Sequence, residues 1–198
     1  MAIIKLYSVM GRSISGELVA KQSKGEGVEI TGWVNHVPKG VHGFHVHENG
    51  EKGAENIRQG KCSIGTGGHF NPTKVIKSIS KCLSSYNYFT WDVVQIVTVK
   101  LLLRNINIDQ KKHGAPGGKE RHIGDLGNIK IKRFTYPTWI DVKDSVISLF
   151  GTEVDGNILD RSIVIHEKND DFTGKSGNAG SQIACGIISR NLYRSLYF

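Results

Sequence analysis

The chain has 198 residues, 24 of them glycine, and a formal net charge of +8 at neutral pH. This length suits one domain with a substantial core. A basic protein could bind nucleic acid or an anionic membrane, but the basic residues are scattered among acidic ones and form no recognised motif, so we expect neither partner. Short runs rich in Val and Ile, separated by glycines, predict an all-β sandwich or barrel.

The first part of the chain predicts an antiparallel meander. Strand-like apolar runs cover residues 3–9, 15–21 and 27–34, and the segments 10–12 and 23–27 between them carry turn chemistry. The first run is too short for a secretory signal and has no small-residue cleavage site, so we expect a cytoplasmic protein.

The next predicted strand carries two histidines on one face. In segment 43–48, strand alternation places His45 and His47 together and turns Phe44 and Val46 toward apolar packing. Two imidazoles held by a strand form half of a metal site. Because such a pair can also be an ordinary part of a half-buried strand, the interpretation depends on the other histidines. Four of these, His69, His113, His122 and His166, lie in motif-like settings. The other two, His36 and His42, look incidental.

Further motifs follow in a fixed order along the chain. Cys62 precedes a Gly-His-Phe-Asn-Pro motif at 68–72, and later motifs occupy 112–116, 120–128, 144–149, 161–168 and 177–186. Together with 43–48, these segments closely resemble the copper/zinc superoxide dismutases. The resemblance covers nearly the whole chain outside residues 75–110 and the final positions. It implies a Greek-key β-sandwich or flattened barrel of about eight antiparallel strands, with long metal-binding and channel loops, in one domain over residues 1–198.

The resemblance implies two metal cofactors that share one histidine. Imidazole suits both copper and zinc, and a carboxylate adds charge on the zinc side. Asp170 matches an aspartate that hydrogen-bonds one histidine of each set and so fixes ring orientation. The copper ligands implied are His45, His47, His69 and His166, and the zinc ligands are His69, His113, His122 and Asp125.

The implied reaction is the disproportionation of superoxide to oxygen and hydrogen peroxide. Electron transfer would take place at copper, while the protein supplies geometry and an approach that attracts anions. One of the protons would pass by way of the His69 ring. The resemblance also implies a homodimer and loading by a copper chaperone. The loop 49–62 is longer than expected and falls where such enzymes form their dimer contact.

The three cysteines divide into an implied pair and a remainder. By resemblance, Cys62 and Cys185 form a disulfide that ties the loop before His69 to the last strand. Cytosolic disulfides are uncommon, so two reduced buried thiols stay open as an alternative. Cys82 is left over, as a free thiol or an oxidation liability.

Residues 75–110 are the largest departure from the family pattern. His69 and His113 are 44 positions apart, and removing these 36 residues leaves 8 and restores the family spacing. The segment has no glycine or proline, and its apolar run at 93–103 is too short and too interrupted to span a bilayer. We interpret it as a translated intron or a gene-model error. The alternative is a real added hairpin or helix, which metal binding could survive because loop-closure entropy grows slowly with length.

Smaller departures bear on activity. Gln182 stands where the family places an arginine that flanks the copper channel, so we expect slower and less salt-sensitive turnover. The loop 171–181 is several residues shorter than usual. Segment 134–139 replaces a tight glycine turn and is interpreted as a variant hairpin loop, with a ligand patch as the alternative, and the tail 190–198 also diverges. A dismutase-like metal-binding protein with little or no activity therefore stays open.

Overall fold

The computed structural model describes most of the chain apart from the predicted insert and the tail. Residues 75–110, with Cys82, lie outside the described residues, as does the tail beyond 190, so the interpretations placed on them stay predictions. No helix among the residues described is long and apolar enough to cross a membrane. The described ranges are 1–23, 27–72, 112–118, 120–153 and 155–190.

Within these ranges, eight antiparallel strands form one sheet that curls into a nearly closed barrel. Their order in the sheet is β5-β4-β7-β8-β1-β2-β3-β6, and the two end strands follow one another in the chain. The prediction of an all-β Greek-key barrel is confirmed. The strands are β1 (Ala2–Ser8), β2 (Ser15–Ser23), β3 (Gly27–Asn35), β4 (Gly40–His47), β5 (Asp125–Ile131), β6 (Thr138–Asp144), β7 (Ser162–His166) and β8 (Gln182–Arg190).

Alternating apolar residues fill the barrel interior and fix the register of the strands. The predicted meander is present, with Leu18 of β2 and Ile30 of β3 fully buried in the core. Phe44 and Val46 of β4 are also fully buried there, as predicted. Burial of each such side chain contributes about 1.5 to 3 kcal/mol. Because a slip of one residue would expose this row, the core holds the opposite face of β4, with His45 and His47, outside the barrel.

The loop between β4 and the motif at 68–72 is helical. It contains a 3₁₀ turn at Glu51–Gly53, a short helix α1 (Ala54–Arg58) and a second short helix α2 (Cys62–Gly65). Ile57 of α1 is fully buried in a small apolar cluster that includes Ile187 of β8. The long loop therefore packs against the outer face of its own barrel.

A disulfide fastens this loop. Cys62, the first residue of α2, is bonded to Cys185 of β8, with 5.8 Å between the two Cα atoms. The predicted pairing is confirmed, and the alternative of two reduced thiols does not describe this structure. The bridge holds the segment that leads to His69 close to the last strand.

Candidate metal centre

Four histidines converge on the outside of the barrel. His45 and His47 project from β4, His166 ends β7, and His69 lies in a loop that makes an isolated β-bridge to His47. All four are buried, and their candidate ligand nitrogens lie within 4.8 Å of one another. The structure thus brings together the four residues that the resemblance assigned to copper.

Backbone carbonyls fix the tautomers of two of these rings. His47 Nδ1 donates to the carbonyl of Gly67 at 2.8 Å, and His166 Nδ1 donates to that of Gly180 at 3.0 Å. A carbonyl can only accept, so the proton of each neutral ring is on Nδ1. The two Nε2 atoms then face each other at 3.4 Å. Two acceptor nitrogens this close need a shared proton or a cation between them.

Burial keeps these rings in the form that binds metal. It lowers the pKa of His47 well below its usual value, with a further contribution from His69. Burial also lowers the pKa of His166 to about 4, and His45 adds to the effect. Both rings are therefore neutral at physiological pH, as metal ligation requires.

A second group shares His69 and forms around a carboxylate. Asp125 Oδ2 accepts backbone N–H groups from Gly114 at 3.1 Å and His122 at 2.8 Å. These bonds turn Oδ1 toward the Nδ1 atoms of three rings, at 2.8 Å for His69, 3.0 Å for His113 and 3.3 Å for His122. The four residues that the resemblance assigned to zinc lie within 4.8 Å by their candidate ligand atoms.

Three buried ring nitrogens in the two groups lack a hydrogen-bond partner. They are the Nδ1 atoms of His45, His113 and His122. The latter two lie near Asp125 but without hydrogen-bond geometry, so they aim at the space beside the carboxylate. An unpartnered buried polar group costs about 1 to 3 kcal/mol. A metal ion at each point of convergence would remove that cost, and imidazole with one carboxylate is a donor set that suits copper and zinc.

Asp170 links the two groups through the ring nitrogens that face away from the candidate metal positions. Its carboxylate accepts His45 Nε2 at 2.8 Å and His113 Nε2 at 2.7 Å. Both rings must then present Nδ1 toward the metal side. Asn128 holds the backbone of Asp170 through bonds of 2.7 and 2.8 Å. Although burial alone would raise the pKa of Asp170, the bonds to His113 and His45 keep it well below its usual value. Asp170 lies where the resemblance placed it.

Comparison with known proteins agrees with this geometry. The family model of copper/zinc superoxide dismutase matches residues 14–84 and 100–188. The chain belongs to the copper/zinc superoxide dismutase family. The cofactors of this family are copper and zinc, and the two groups can hold them.

Viral and amoebal relatives match most of the chain. It is 33% identical over 193 residues to a putative superoxide dismutase (Cu-Zn) of Orgyia pseudotsugata multicapsid polyhedrosis virus, an alignment that covers 93% of this chain and 97% of the relative. It is 30% identical over 194 residues to a putative superoxide dismutase (Cu-Zn) of Autographa californica nuclear polyhedrosis virus, an alignment that covers 94% of this chain and 98% of the relative. Superoxide dismutase (Cu-Zn) 5 of Dictyostelium discoideum is 32% identical over 189 residues, covering 91% and 93%.

In this dismutase-family chain the zinc group carries a charge imbalance. Burial would lower the pKa of His113, but the close carboxylate of Asp125 and the hydrogen bond to Asp170 outweigh that effect and raise it to about 9. Burial would raise the pKa of Asp125, but His113, His122 and His69 hold it far below its usual value. Two buried carboxylates thus need positive charge beside them. Without a metal ion, a proton on His113 supplies part of it.

Gln182 begins β8 beside the copper group, and a residue that sequence analysis missed holds it. It pairs with His166 across the sheet, and Thr66 Oγ1 donates to Gln182 Oε1 at 3.0 Å. Thr66 is fully buried. This bond occupies the amide oxygen and leaves the NH₂ group of Gln182 as its donor. Because 116 positions separate the two residues, no local pattern could have indicated the contact.

His42, which looked incidental in the sequence, supports the copper group. It is buried, with Nδ1 at 2.8 Å from the backbone carbonyl of His166 and Nε2 at 2.8 Å from that of Pro38. The ring therefore ties the start of β4 to the strand end that carries a candidate ligand. Alternation along β4 gave a usable signal, since it places position 42 on the interior face with Phe44, where a polar ring needs partners. His36, by contrast, is exposed.

Proposed function

We propose that this chain disproportionates superoxide to oxygen and hydrogen peroxide. The observation that carries the proposal is the position of His69, which belongs to both candidate metal groups. Its Nδ1 atom lies 2.8 Å from Asp125 on the zinc side. Its other nitrogen, Nε2, is then the atom available to the copper side.

The protein's own residues would position the ions and move a proton. His45, His47 and His166 would hold copper together with His69, while His113, His122 and Asp125 complete the zinc set. Copper, when bound, supplies one-electron chemistry in both directions, whereas zinc has no redox chemistry. We propose that His69 takes up one proton at Nε2 and gives it to the developing peroxide, which takes its second proton from water.

Two measurements on one sample test this proposal. Metal content per chain is determined first, and the same protein is then assayed for inhibition of superoxide-driven dye reduction, with the metal-free protein as control. We expect one copper and one zinc per chain, with activity only in the loaded sample. Bound copper and zinc without activity would instead favour a metal-binding protein of the same family.

Gln182→Arg is expected to raise kcat/KM about tenfold at low ionic strength. The substitution places a positive charge beside the copper group, where the amide now offers only a neutral donor. Electrostatic steering, of which superoxide dismutases are a known case, raises association rates by about 10- to 1000-fold in total. The measurement is kcat/KM of the metal-loaded variant across a range of salt concentrations.

Gln59→Arg is the matched control, because it adds the same charge at an exposed position after α1. It should leave kcat/KM nearly unchanged. Steering by charge at position 182 is excluded if the Gln182 variant keeps the wild-type kcat/KM, or if kcat/KM rises equally in the two variants.

We also propose, from family resemblance, a cytoplasmic homodimer that a copper chaperone loads. A dimer contact at the helical loop would use the outward side chains of α1, such as Glu55 and Arg58, because Ile57 is buried against its own barrel. Sedimentation velocity over a range of protein concentrations tests the dimer. A single monomeric species at all concentrations would exclude it.

A further inference from the structure

The hairpin between β5 and β6 exposes aromatic side chains at one end of the barrel. Every residue from 132 to 137 is exposed, and Phe134 and Tyr136 are 48% and 61% exposed. Next to the hairpin, on the outer face of the barrel, Trp33 and Trp139 pair across β3 and β6 and are 52% and 49% exposed. The sequence predicts a variant hairpin loop for 134–139, with a ligand patch as the alternative. We call these four side chains the aromatic patch.

Exposed cations surround the hairpin. Lys132 and Arg133 belong to it, and the Arg133 guanidinium lies 5.7 Å from the centre of the Tyr136 ring. Lys130 is exposed near the end of β5, and Lys39 is exposed just before Gly40, which pairs with Ile131. The sequence has no acidic residue from 126 to 140.

The acidic side chains of this face lie on the strands rather than on the hairpin. Glu17 is opposite Trp33, and Asp141 is two residues beyond Trp139 on the same face. Farther along, Glu29 is paired with Lys143 at 3.0 Å. The tip of the hairpin is therefore aromatic and cationic, and negative charge begins only behind it.

We propose that the aromatic patch and its cations form a docking surface for a bilayer of anionic phospholipids. Trp and Tyr side chains favour the headgroup region of a membrane because they have an apolar body and a polar edge. Exposed Lys and Arg add attraction to anionic lipids. The net charge of +8 acts in the same direction. This proposal replaces the expectation, drawn from the scattered basic residues, that the chain has no membrane partner.

The shape of the patch favours lipid over nucleic acid. Single-stranded nucleic acid binds where bases stack on open aromatic faces in a charged groove. Here the Trp33 and Trp139 rings meet edge to face, at 69° and 5.0 Å between centroids. The hairpin is a run of six exposed residues at a barrel end. A projecting tip of this kind can insert into the headgroup region of a bilayer, but it does not form a groove that would hold a nucleic-acid strand.

Docking through this hairpin would leave the metal centre free. The hairpin lies at the end of the barrel where β5 finishes at Ile131 and β4 starts at Gly40. Asp125 starts β5 and His47 finishes β4, so these candidate ligands lie at the opposite ends of the two strands, about 20 Å from the hairpin. His166 is nearer, because it lies beside Gly43, three positions along β4 from Gly40. The proposal is thus independent of the proposed catalytic function.

Cosedimentation of the full chain with lipid vesicles tests the docking surface. We expect at least about tenfold stronger binding to vesicles of phosphatidylcholine and phosphatidylserine in equal parts than to phosphatidylcholine alone, and weaker binding at high salt. The double variant Phe134→Ala/Tyr136→Ala should lose about tenfold in affinity. Phe150→Ala is the matched control. Phe150 is 61% exposed, and it follows Leu149, whose N–H donates to Gln22 at the end of β2 away from the hairpin.

A charge variant covers the case in which the aromatic variant does not fold. Lys132→Glu/Arg133→Glu should abolish the preference for anionic vesicles, whereas Lys52→Glu, at an exposed position in the helical loop, should keep it. Equal binding by patch and control variants would overturn the proposal, as would no binding at all. Tighter binding of a single-stranded oligonucleotide, or self-association lost in the patch variant, would assign the surface to nucleic acid or to a second copy instead.

Discussion

Gly177→Ala is expected to release bound metal, although it adds a single methyl group. Gly177 has a φ of +66°, and a Cβ placed there would overlap Asp170 Oδ1 and His113 Nε2. Asp170 would have to leave its bonds with His45 and His113. Because loss of such outer groups typically costs about 10- to 100-fold in metal affinity, the variant should lose metal to a chelator that the wild type resists. Metal content after competition and gel filtration measures this.

Gly174→Ala is the matched control for backbone strain. Its φ is +63°, nearly the same, but a Cβ there would meet nothing within 4 Å. Alanine in this conformation costs about 1 kcal/mol in either position. Only the Gly177 variant should therefore lose metal affinity. Equal losses in both variants would mean that backbone strain, rather than displacement of Asp170, controls the site.

Removal of the disulfide is expected to lower the free energy of unfolding by about 3 to 5 kcal/mol. Cys62 and Cys185 are 123 positions apart, so the bridge closes a long loop in the unfolded chain. Natural domains are stable by only about 5 to 15 kcal/mol. The double variant Cys62→Ala/Cys185→Ala should therefore be marginal in the metal-free state, as measured by urea denaturation. The metal-free state is chosen because bound ions would add their own stabilisation.

Cys82→Ala provides the control, since it removes a thiol outside the pair. It should leave the urea midpoint of the metal-free protein unchanged. A midpoint shift as large as that of the double variant would contradict the account, and so would an unchanged midpoint in the double variant itself.

Local patterns in the sequence predicted an all-β sandwich or barrel and the common face of His45 and His47, whereas the Greek-key topology came from family resemblance. Alternation along β4 correctly separated Phe44 and Val46 from His45 and His47, because side chains on a strand alternate between two faces. The predicted strands at 15–21 and 27–34 lie within β2 and β3. The two candidate ligand sets, however, came from family resemblance, since no local rule links His47 to His166 across the chain.

Contacts between distant segments could not be predicted from local sequence patterns. The bond from Thr66 to Gln182 joins residues whose surroundings have no shared pattern. The partners of His42 come from the end of β7 and from the loop before β4. The pairing of Trp33 with Trp139 depends on which strands become neighbours, and β3 pairs with β6 only through the whole topology. These features follow from the assembled barrel rather than from any segment alone.

The most direct test of the account is anomalous diffraction from crystals of the metal-loaded protein, collected at the copper and zinc absorption edges. We expect one copper peak surrounded by His45, His47, His69 and His166. We expect one zinc peak surrounded by His69, His113, His122 and Asp125, with the His69 ring between the two ions. A single shared ion, or a copper peak that contacts fewer than three of its four histidines, would contradict it.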